Sequence, residues 1–231
     1  MPGSRDVTPR RRGPRGDLGR DTIRAAAHDL LERHGSPSAV SLRMLAGEVG
    51  VAPNALYTYF ADVNAVWHDV ADATLRELDS EELRSWDCRH CALVELVRRC
   101  RVIWARPWVI PLMNHQPALG SASFALSETT MTLCEHASVT ARDAHDLLHG
   151  WFFGSTALAA AGWERETDEI RALGEGGGQF PLVFARTDAD HDAQLKALLR
   201  GIDVRCTCAR PAEPTQPTRP LEPADPTGPA A

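Results

Sequence analysis

The hydrophobic positions of this chain follow a helical period almost throughout. From Asp17 onward apolar residues recur at spacings of three to five, and the stripe stops at Gly35, which predicts a first helix over 17–34. Alternation of β-branched residues, the mark of strands, is scarce, and Ala, Leu, Arg, Glu and Asp dominate. The pattern therefore predicts an all-α protein.

Two short helices are predicted to follow the first one. Ser41 is placed to cap a helix that stops at Gly50. Pro53 suits the first turn of the next helix, over 53–60, because its missing N–H would be unpaired there anyway. Two short helices joined by a glycine-containing turn, after a longer helix that can cover them, are typical of a helix-turn-helix.

Helices are also predicted in the rest of the chain. The apolar stripes place them over 63–79, 88–104, 123–136, 141–163, 165–173 and 190–204, and prolines at 107, 111 and 117 break the stretch between the second and third. The helix over 141–163 is apolar over most of its circumference, which predicts burial on both sides.

Composition divides the chain into four parts. Residues 1–16 form a basic arm that contains several glycines and prolines. A helix-turn-helix unit over 17–78 and a larger helical unit over 79–205 follow. Residues 206–231 form a Pro-rich tail without an apolar stripe, and we expect this tail to be disordered. The net charge is −6, yet the first 20 residues carry six arginines against two aspartates. Such an arm suits a polyanion, although it could also be a solubilising tail.

Several classes of protein find little support in the sequence. The longest near-apolar run, Trp151 to Trp163, is shorter than the about 20 residues of a bilayer span, and no secretory signal is legible. We therefore expect a cytoplasmic protein without a membrane partner, whose six cysteines stay reduced. The chain lacks a P-loop, a Gly-x-Ser-x-Gly elbow and a Glu-x-x-His pair, so we do not expect an enzyme.

The helix-turn-helix unit over 17–78, which we call the head, resembles the TetR (tetracycline-repressor) family of DNA-binding regulators. The resemblance is carried by SLRMLAGEVGVAPNALYTYF over 41–60 and by the run from Ala25 to Gly35. The second part resembles the C-terminal domain of the tetracycline-repressor subgroup at Arg106-Pro-Trp108, at 118–120 and at 151–154, and at 180–182. This resemblance implies a transcriptional repressor with an N-terminal helix-turn-helix and a helical domain for dimerisation and ligand binding.

The second helix of a helix-turn-helix enters the major groove of DNA, so its exposed residues are candidates for base contacts. Asn54 could pair with an adenine edge, and Ala55 could rest on a thymine methyl. The resemblance implies a guanine contact for Arg43, which could otherwise be an ordinary exposed charge. Leu56 and Phe60 are the expected core pair of this helix. The full set of predicted DNA-binding residues is Ser41, Arg43, Pro53, Asn54, Ala55, Tyr57, Thr58 and Tyr59, with Ser41 capping its helix, contacting phosphate, or both.

The chain departs from the family at one place. Val63, between Asp62 and Asn64, stands where the family usually has a lysine that contacts phosphate. We expect that contact to be missing, and the arginines of the arm could compensate for it.

The family resemblance implies a pocket for a small, largely apolar effector in the second unit. The surplus of bulky side chains there fits such a pocket, although the same aromatics could simply fill the core. The candidates are Trp104, Trp108, Met113, His115, Phe124, Glu128, Met131, His149, Phe152 and Phe153. A homodimer is expected through the helices at 141–163 and 190–204, since Gly150 and Gly154 permit close approach. Two copies would then read two half-sites of double-stranded operator DNA.

Metal chemistry is the alternative reading of the second unit. Cys88 and Cys91 resemble a metal or redox half-site, and Cys206 and Cys208 offer two more sulfurs. The second pair has only one residue between its members and adjoins the tail. We therefore predict no bound metal or cofactor and keep a metal- or thiol-responsive sensor as the alternative. His145 and His149, four apart on one helix, could also chelate a divalent ion.

Overall fold

The computed structural model of the protein describes residues 18–115, 118–160 and 189–208. The predicted arm over 1–16, the helix predicted over 165–173, the family-like positions 180–182 and the tail beyond 208 lie outside the described residues.

The described residues form α-helices and 3-10 turns and contain no strand, which confirms the prediction of an all-α fold. The α-helices are α1 (Arg20–His34), α2 (Leu42–Glu48), α3 (Pro53–Leu56), α4 (Val63–Arg76), α5 (Arg89–Trp104), α6 (Val109–His115), α7 (Ser121–Leu133), α8 (Ala141–Ala160) and α9 (His191–Gly201). Short 3-10 helices lie at Pro37–Ala39 and Ser80–Ser85.

The helices of the head begin and end on residues suited to those positions. Ser41 accepts a hydrogen bond from the backbone N–H of Met44 at 3.3 Å, and Asp62 accepts one from Ala65 at 2.8 Å. Each side chain thereby satisfies an N–H that the first turn of its helix leaves unpaired. Gly35 ends α1 with φ at +74°, a conformation that suits glycine.

Several predicted helix boundaries differ from the structure. Helix α4 ends at Arg76 and not at 79, α7 spans Ser121–Leu133 and not 123–136, and α9 ends at Gly201 and not at 204. The third helix ends at Leu56, and the chain continues to Tyr59 in turns, whereas the pattern predicted a helix to Phe60. The Tyr59 N–H bonds to the Leu56 carbonyl at 3.0 Å, a tighter spacing than that of an α-helix. Residues 80–85, between the helices predicted over 63–79 and 88–104, form a 3-10 helix that buries Leu83 completely.

One apolar core runs through the described residues from α1 to α9. Trp67 on α4 is the largest fully buried side chain of this core. The same core contains Leu31 of α1, Leu93 of α5 and Leu199 of α9. Because α4 contributes to the core along most of its length, it joins the first three helices to the rest of the protein.

The long helix α8 has two different faces in the single chain. Ala144, Leu148 and Phe152 are buried in the core, whereas Leu147 and Leu158 are about half exposed. The expectation that this helix is buried on both sides is therefore not met within one chain. Of the described helices, none is long and apolar enough to cross a membrane.

Candidate functional sites

The turn between α2 and α3 has the geometry of a helix-turn-helix. Gly50 has φ at +71°, and the N–H of Val51 returns to the Ala46 carbonyl at 2.9 Å. Ala46 is almost completely buried where the two helices meet, so a larger side chain would push them apart. Leu45 and Leu56 fill the core beneath the turn. This packing fixes the angle between α2 and α3.

The residues of α3 and the following turn separate into buried and exposed groups. Leu56 and Phe60 are buried, which confirms them as the core pair. The predicted DNA-binding residues remain accessible: Ser41, Arg43, Asn54, Tyr57 and Thr58 are exposed, and Pro53, Ala55 and Tyr59 are half-buried. Tyr57 keeps 53% of its surface accessible, although a large aromatic residue would ordinarily be drawn toward the core.

Ion pairs attach α1 to the helices around it. Arg20 and Arg24 both reach Asp69 on α4, at 3.3 and 3.2 Å, and Arg33 reaches Glu48 on α2 at 2.8 Å. Arg20 also donates to the Tyr59 carbonyl at 3.0 Å and lies over the Phe60 ring. The guanidinium of Arg20, the last arginine of the basic N-terminal stretch, is therefore paired with groups inside the head.

A cavity of about 400 Å³ lies between the helices of the second unit. Helices α4 to α8 and the segment before α7 contribute to its wall. It is lined by Leu75, Leu93, Leu96, Val97, Cys100, Trp104, Met113, Ala118, Leu119, Ser123, Phe124, Leu126, Ser127, Thr130, Leu148, His149, Phe152 and Phe153. None of these residues carries an Asp, Glu, Lys or Arg side chain, so the described lining suits an uncharged, largely apolar molecule.

The structure places only part of the predicted pocket set in this lining: Trp104, Met113, Phe124, His149, Phe152 and Phe153. Trp108 is buried elsewhere, with its ring edge-on to His28 of α1 at 4.9 Å. His115 is exposed at the end of α6, 3.3 Å from the Asn64 side chain.

Two further pocket predictions on α7 also fall outside the lining. Glu128 is exposed and Met131 is half-buried, and neither contributes to the cavity wall. The face of α7 that meets the cavity carries Ser123, Ser127 and Thr130 instead, which recur at helical spacing.

Polar groups are few in the cavity, and most have internal partners. Thr130 donates to the Leu126 carbonyl at 2.9 Å, and the Ser127 hydroxyl lies 3.2 Å from a ring nitrogen of His145. His149 stacks on Phe153 with ring centroids 4.9 Å apart. Desolvation by its surroundings, followed by the nearby charge of His145, lowers the pKa of His149 below its usual 6.5. A neutral imidazole can then offer a hydrogen bond to an uncharged ligand.

The sequence prediction named only Trp104 on α5 and no residue of α4 as lining the cavity. Leu93, Leu96, Val97 and Cys100 form a stripe along α5 that faces the cavity, and Leu75 reaches it from α4. The stripe on α5 is visible in the sequence as apolar residues three and four apart. Periodicity alone indicates a buried face and does not distinguish a cavity wall from a filled core.

Helix α4 is also tied directly to α7. The Asp72 carboxylate accepts a hydrogen bond from the backbone N–H of Ala122 at 2.7 Å, at the start of α7. A Cβ atom at Gly120 would overlap that carboxylate, so glycine permits the close approach. Five residues further on, at the C-cap of α4, Glu77 pairs with Arg106. The helix that leaves the head therefore has polar contacts with the cavity region as well as Leu75 in the cavity wall.

The four cysteines considered as metal ligands lie together, and we call them the cysteine cluster: Cys88, Cys91, Cys206 and Cys208. Their sulfurs all lie within 4.8 Å of one another. Burial opposes ionisation of the Cys88 thiol, but the N–H groups of Cys91 and Thr207 donate to its sulfur, and the pKa of Cys88 falls to about 5.

The histidine pair on α8 is arranged differently. His145 and His149 have ring centroids 4.8 Å apart, but both ring nitrogens of His145 lie near other partners, Asp146 and Ser127. Chelation by the pair would have to displace those contacts.

Comparisons with known proteins place the fold among helical transcription regulators. No family model and no curated protein sequence matches the chain. Among solved structures, apo ActR from Streptomyces coelicolor has a TM-score of 0.65 at 20% identity, over 80% of this chain and 94% of that one. ActR in complex with (S)-DNPA has a TM-score of 0.64 at 21% identity, over 80% of this chain and 97% of that one.

A TetR variant from Acinetobacter baumannii AYE in complex with minocycline has a TM-score of 0.56 at 20% identity, over 80% of this chain and 92% of that one. The class that these structures share with this protein is an all-α fold with an N-terminal helix-turn-helix followed by a larger helical unit. More particularly, the protein has the fold of the TetR-family transcriptional regulators.

Proposed function

We propose that the protein is a DNA-binding transcriptional regulator, and specifically a repressor that leaves its operator when a small, uncharged and largely apolar molecule enters the cavity. The proposal of DNA binding rests on one observation: the side chains around the turn between α2 and α3 divide into a buried group and an exposed group. Leu45, Leu56 and Phe60 hold the two helices, while Arg43 and Asn54 remain exposed and can reach base edges.

Operator recognition needs two copies of the chain, because one recognition helix reads only a few base pairs. The exposed face of α8 supports a dimer. Leu147, Gly150, Gly154 and Leu158 recur at helical spacing, and a Cβ at either glycine would meet nothing within 4 Å in the single chain. The backbone of a second α8 could therefore approach closely there.

Release from DNA follows from the position of α4. A ligand in the cavity would contact Leu75 on α4 and the α7 residues tied to α4 through Asp72. If the ligand binds better to one tilt of α4, it changes the separation of the two recognition helices. A preference of about 1 to 3 kcal/mol between the two tilts suffices for about 5- to 150-fold weaker DNA binding.

Selection of bound duplexes from random DNA tests whether the protein binds DNA in a sequence-specific way. We expect enrichment of a two-fold symmetric site whose half-sites lie about 34–36 Å apart, one helical turn. Arg43→Ala should lose discrimination at one base pair by about 1 to 3 kcal/mol, whereas Tyr57→Phe should weaken all sequences alike. Arg98→Ala, an arginine on α5 paired with Glu95, is the matched control and should bind like the parent chain. Absence of any enriched sequence would refute the proposal.

Dimerisation and release are tested separately. Leu147→Glu with Leu158→Glu should give a monomer in light scattering and abolish operator binding, because the new carboxylates would be buried without partners.

To test release from DNA by a ligand, a library of uncharged apolar compounds is screened for displacement of the selected operator. Leu96→Trp, which fills the cavity from α5, should abolish displacement by any active compound and preserve DNA binding. Undiminished displacement by this variant would place the effector elsewhere.

A further inference from the structure

The cysteine cluster has the dimensions of a metal site. The Cys88 and Cys91 sulfurs lie 3.8 and 3.7 Å from that of Cys206, and Cys91 lies 3.5 Å from Cys208. A zinc ion binds thiolates at about 2.3 Å in a tetrahedron, which puts neighbouring sulfurs about 3.8 Å apart. A disulfide would bring a pair of sulfurs to about 2.05 Å. The observed separations fit four ligands around one ion.

The two halves of the cluster come from distant parts of the chain. Cys88 caps α5 and Cys91 lies in its first turn, whereas Cys206 and Cys208 follow α9. Four of the six cysteines of the protein thus meet at one place, and the other two, Cys100 and Cys134, are buried apart from them as ordinary core residues. Cys206 and Cys208 are exposed, so burial of apolar area does not account for their position beside the other pair.

The backbone around the cluster is suited to thiolates. Cys88 is the N-cap of α5, and the sulfurs of Cys206 and Cys208, from the other half of the cluster, lie within 4.8 Å of its sulfur. Helix α5 is 16 residues long, and the partial positive charge at its N-terminus favours negative sulfur nearby.

We propose that Cys88, Cys91, Cys206 and Cys208 bind one zinc ion as four thiolates and thereby tie the segment after α9 to the start of α5. Each ligand cysteine that is still protonated releases its proton to solvent when it binds, so zinc uptake is accompanied by acidification of an unbuffered solution. Four sulfur ligands leave no open position for water or substrate, and such closed sites are structural. The proposal departs from the sequence-based prediction that the chain binds no metal.

The zinc site would extend the attachment of the segment that follows α9. Beyond α9, Ile202 and Val204 pack into the core and the Ile202 carbonyl accepts a hydrogen bond from Ser138 at 2.9 Å. Metal ligation two and four residues beyond Val204 would fix this segment against α5, one wall of the ligand cavity. The proposal concerns neither the DNA-binding residues nor the identity of the effector, and stands independently of them.

Metal analysis of the full chain, purified under reducing conditions without chelator, tests the proposal. We expect one zinc per chain in the parent protein, or on titration of the reduced apoprotein with zinc. The double variant Cys206→Ser with Cys208→Ser should lose it, and because both positions are exposed, the variant should keep its helical circular dichroism. Cys134→Ala, which removes a buried cysteine outside the cluster, is the matched control and should retain one zinc per chain.

Cobalt substitution supplies a second readout that needs no variant. Co²⁺ added to the reduced apoprotein should give the intense visible bands of a tetrahedral ion together with thiolate charge-transfer absorption, and zinc should remove both. Failure of the reduced chain to bind zinc or cobalt would overturn the proposal, and so would unchanged zinc content in the double variant. Iron in place of zinc, or a disulfide within the cluster of the reduced protein, would overturn it as well.

Discussion

The head and the cavity region are held together by different kinds of contact. In the head, side-chain caps at Ser41 and Asp62 and ion pairs from Arg24 and Arg33 surround fully buried leucines of the common core, such as Leu45 and Leu56. Around the cavity, apolar side chains of five helices enclose about 400 Å³ that they do not fill. Filled cores resist deformation, whereas the lining of a cavity has fewer contacts to lose on moving. The head is therefore suited to move as one body and the cavity region to rearrange.

Truncation of one leucine in each region should give the largest contrast in stability. Leu56→Ala removes a fully buried side chain of the head and should lower the free energy of unfolding by about 2 to 5 kcal/mol. Leu126→Ala removes a half-buried side chain that already borders the cavity, so we expect a loss of about 1 kcal/mol. Urea unfolding of both variants measures the difference. Equal losses would show that the two regions are packed alike.

The contact between α4 and α7 should respond to a single methyl group. Gly120→Ala places a Cβ on the Asp72 carboxylate and should cost about 1 to 3 kcal/mol of unfolding free energy, since the carboxylate must move away from the Ala122 N–H. Gly47→Ala on α2 is the control, because its Cβ would meet no atom within 4 Å. That change should raise stability by about 0.5 to 1 kcal/mol. Thermal unfolding with Gly120→Ala no less stable than the parent would contradict the tight approach.

The smallest expected effect is a dependence on pH that arises in the cavity region. The pKa of His149 is lowered in the folded protein, chiefly by desolvation, so the folded state holds fewer protons on this group than the unfolded state. The residue keeps exposed surface in the single chain, and screening by solvent makes the effect small. The stability associated with neutral His149 is present above pH 6.5 and is lost as pH falls below that value. Urea midpoints at pH 7 and pH 5 measure the change, and His149→Gln should flatten it. An equal slope in the variant would assign the effect to other groups.

The sequence predicted the head better than the cavity, for a physical reason. A cap such as Ser41, a turn such as Gly50 and a core pair such as Leu56 and Phe60 are fixed by neighbours a few residues away. Whether a tryptophan enters a cavity depends on how distant helices pack. Trp104 lines the cavity, whereas Trp108, one turn further on, packs against His28 of α1.

The cysteine cluster shows the same limit at longer range. The spacing of Cys88 and Cys91 suggested a half-site, but their neighbours Cys206 and Cys208 belong to a stretch that composition assigned to the tail. Sequence spacing carries no information about which distant pairs meet, so only the fold reveals that the four sulfurs are adjacent.

The docking of the segment after α9 also bears on the order in which the protein folds. Contacts in the head join residues at most a few dozen positions apart, such as Arg24 and Asp69, which are 45 apart. Cys88 and Cys206 are 118 positions apart. The Ile202 carbonyl accepts a hydrogen bond from the Ser138 N–H, so Ser138 must already be in place before this contact forms. Local contacts form early because little chain entropy is lost in closing short loops, whereas distant ones await the rest of the structure. We therefore expect α9 to settle last, onto a bundle whose other helices have already assembled.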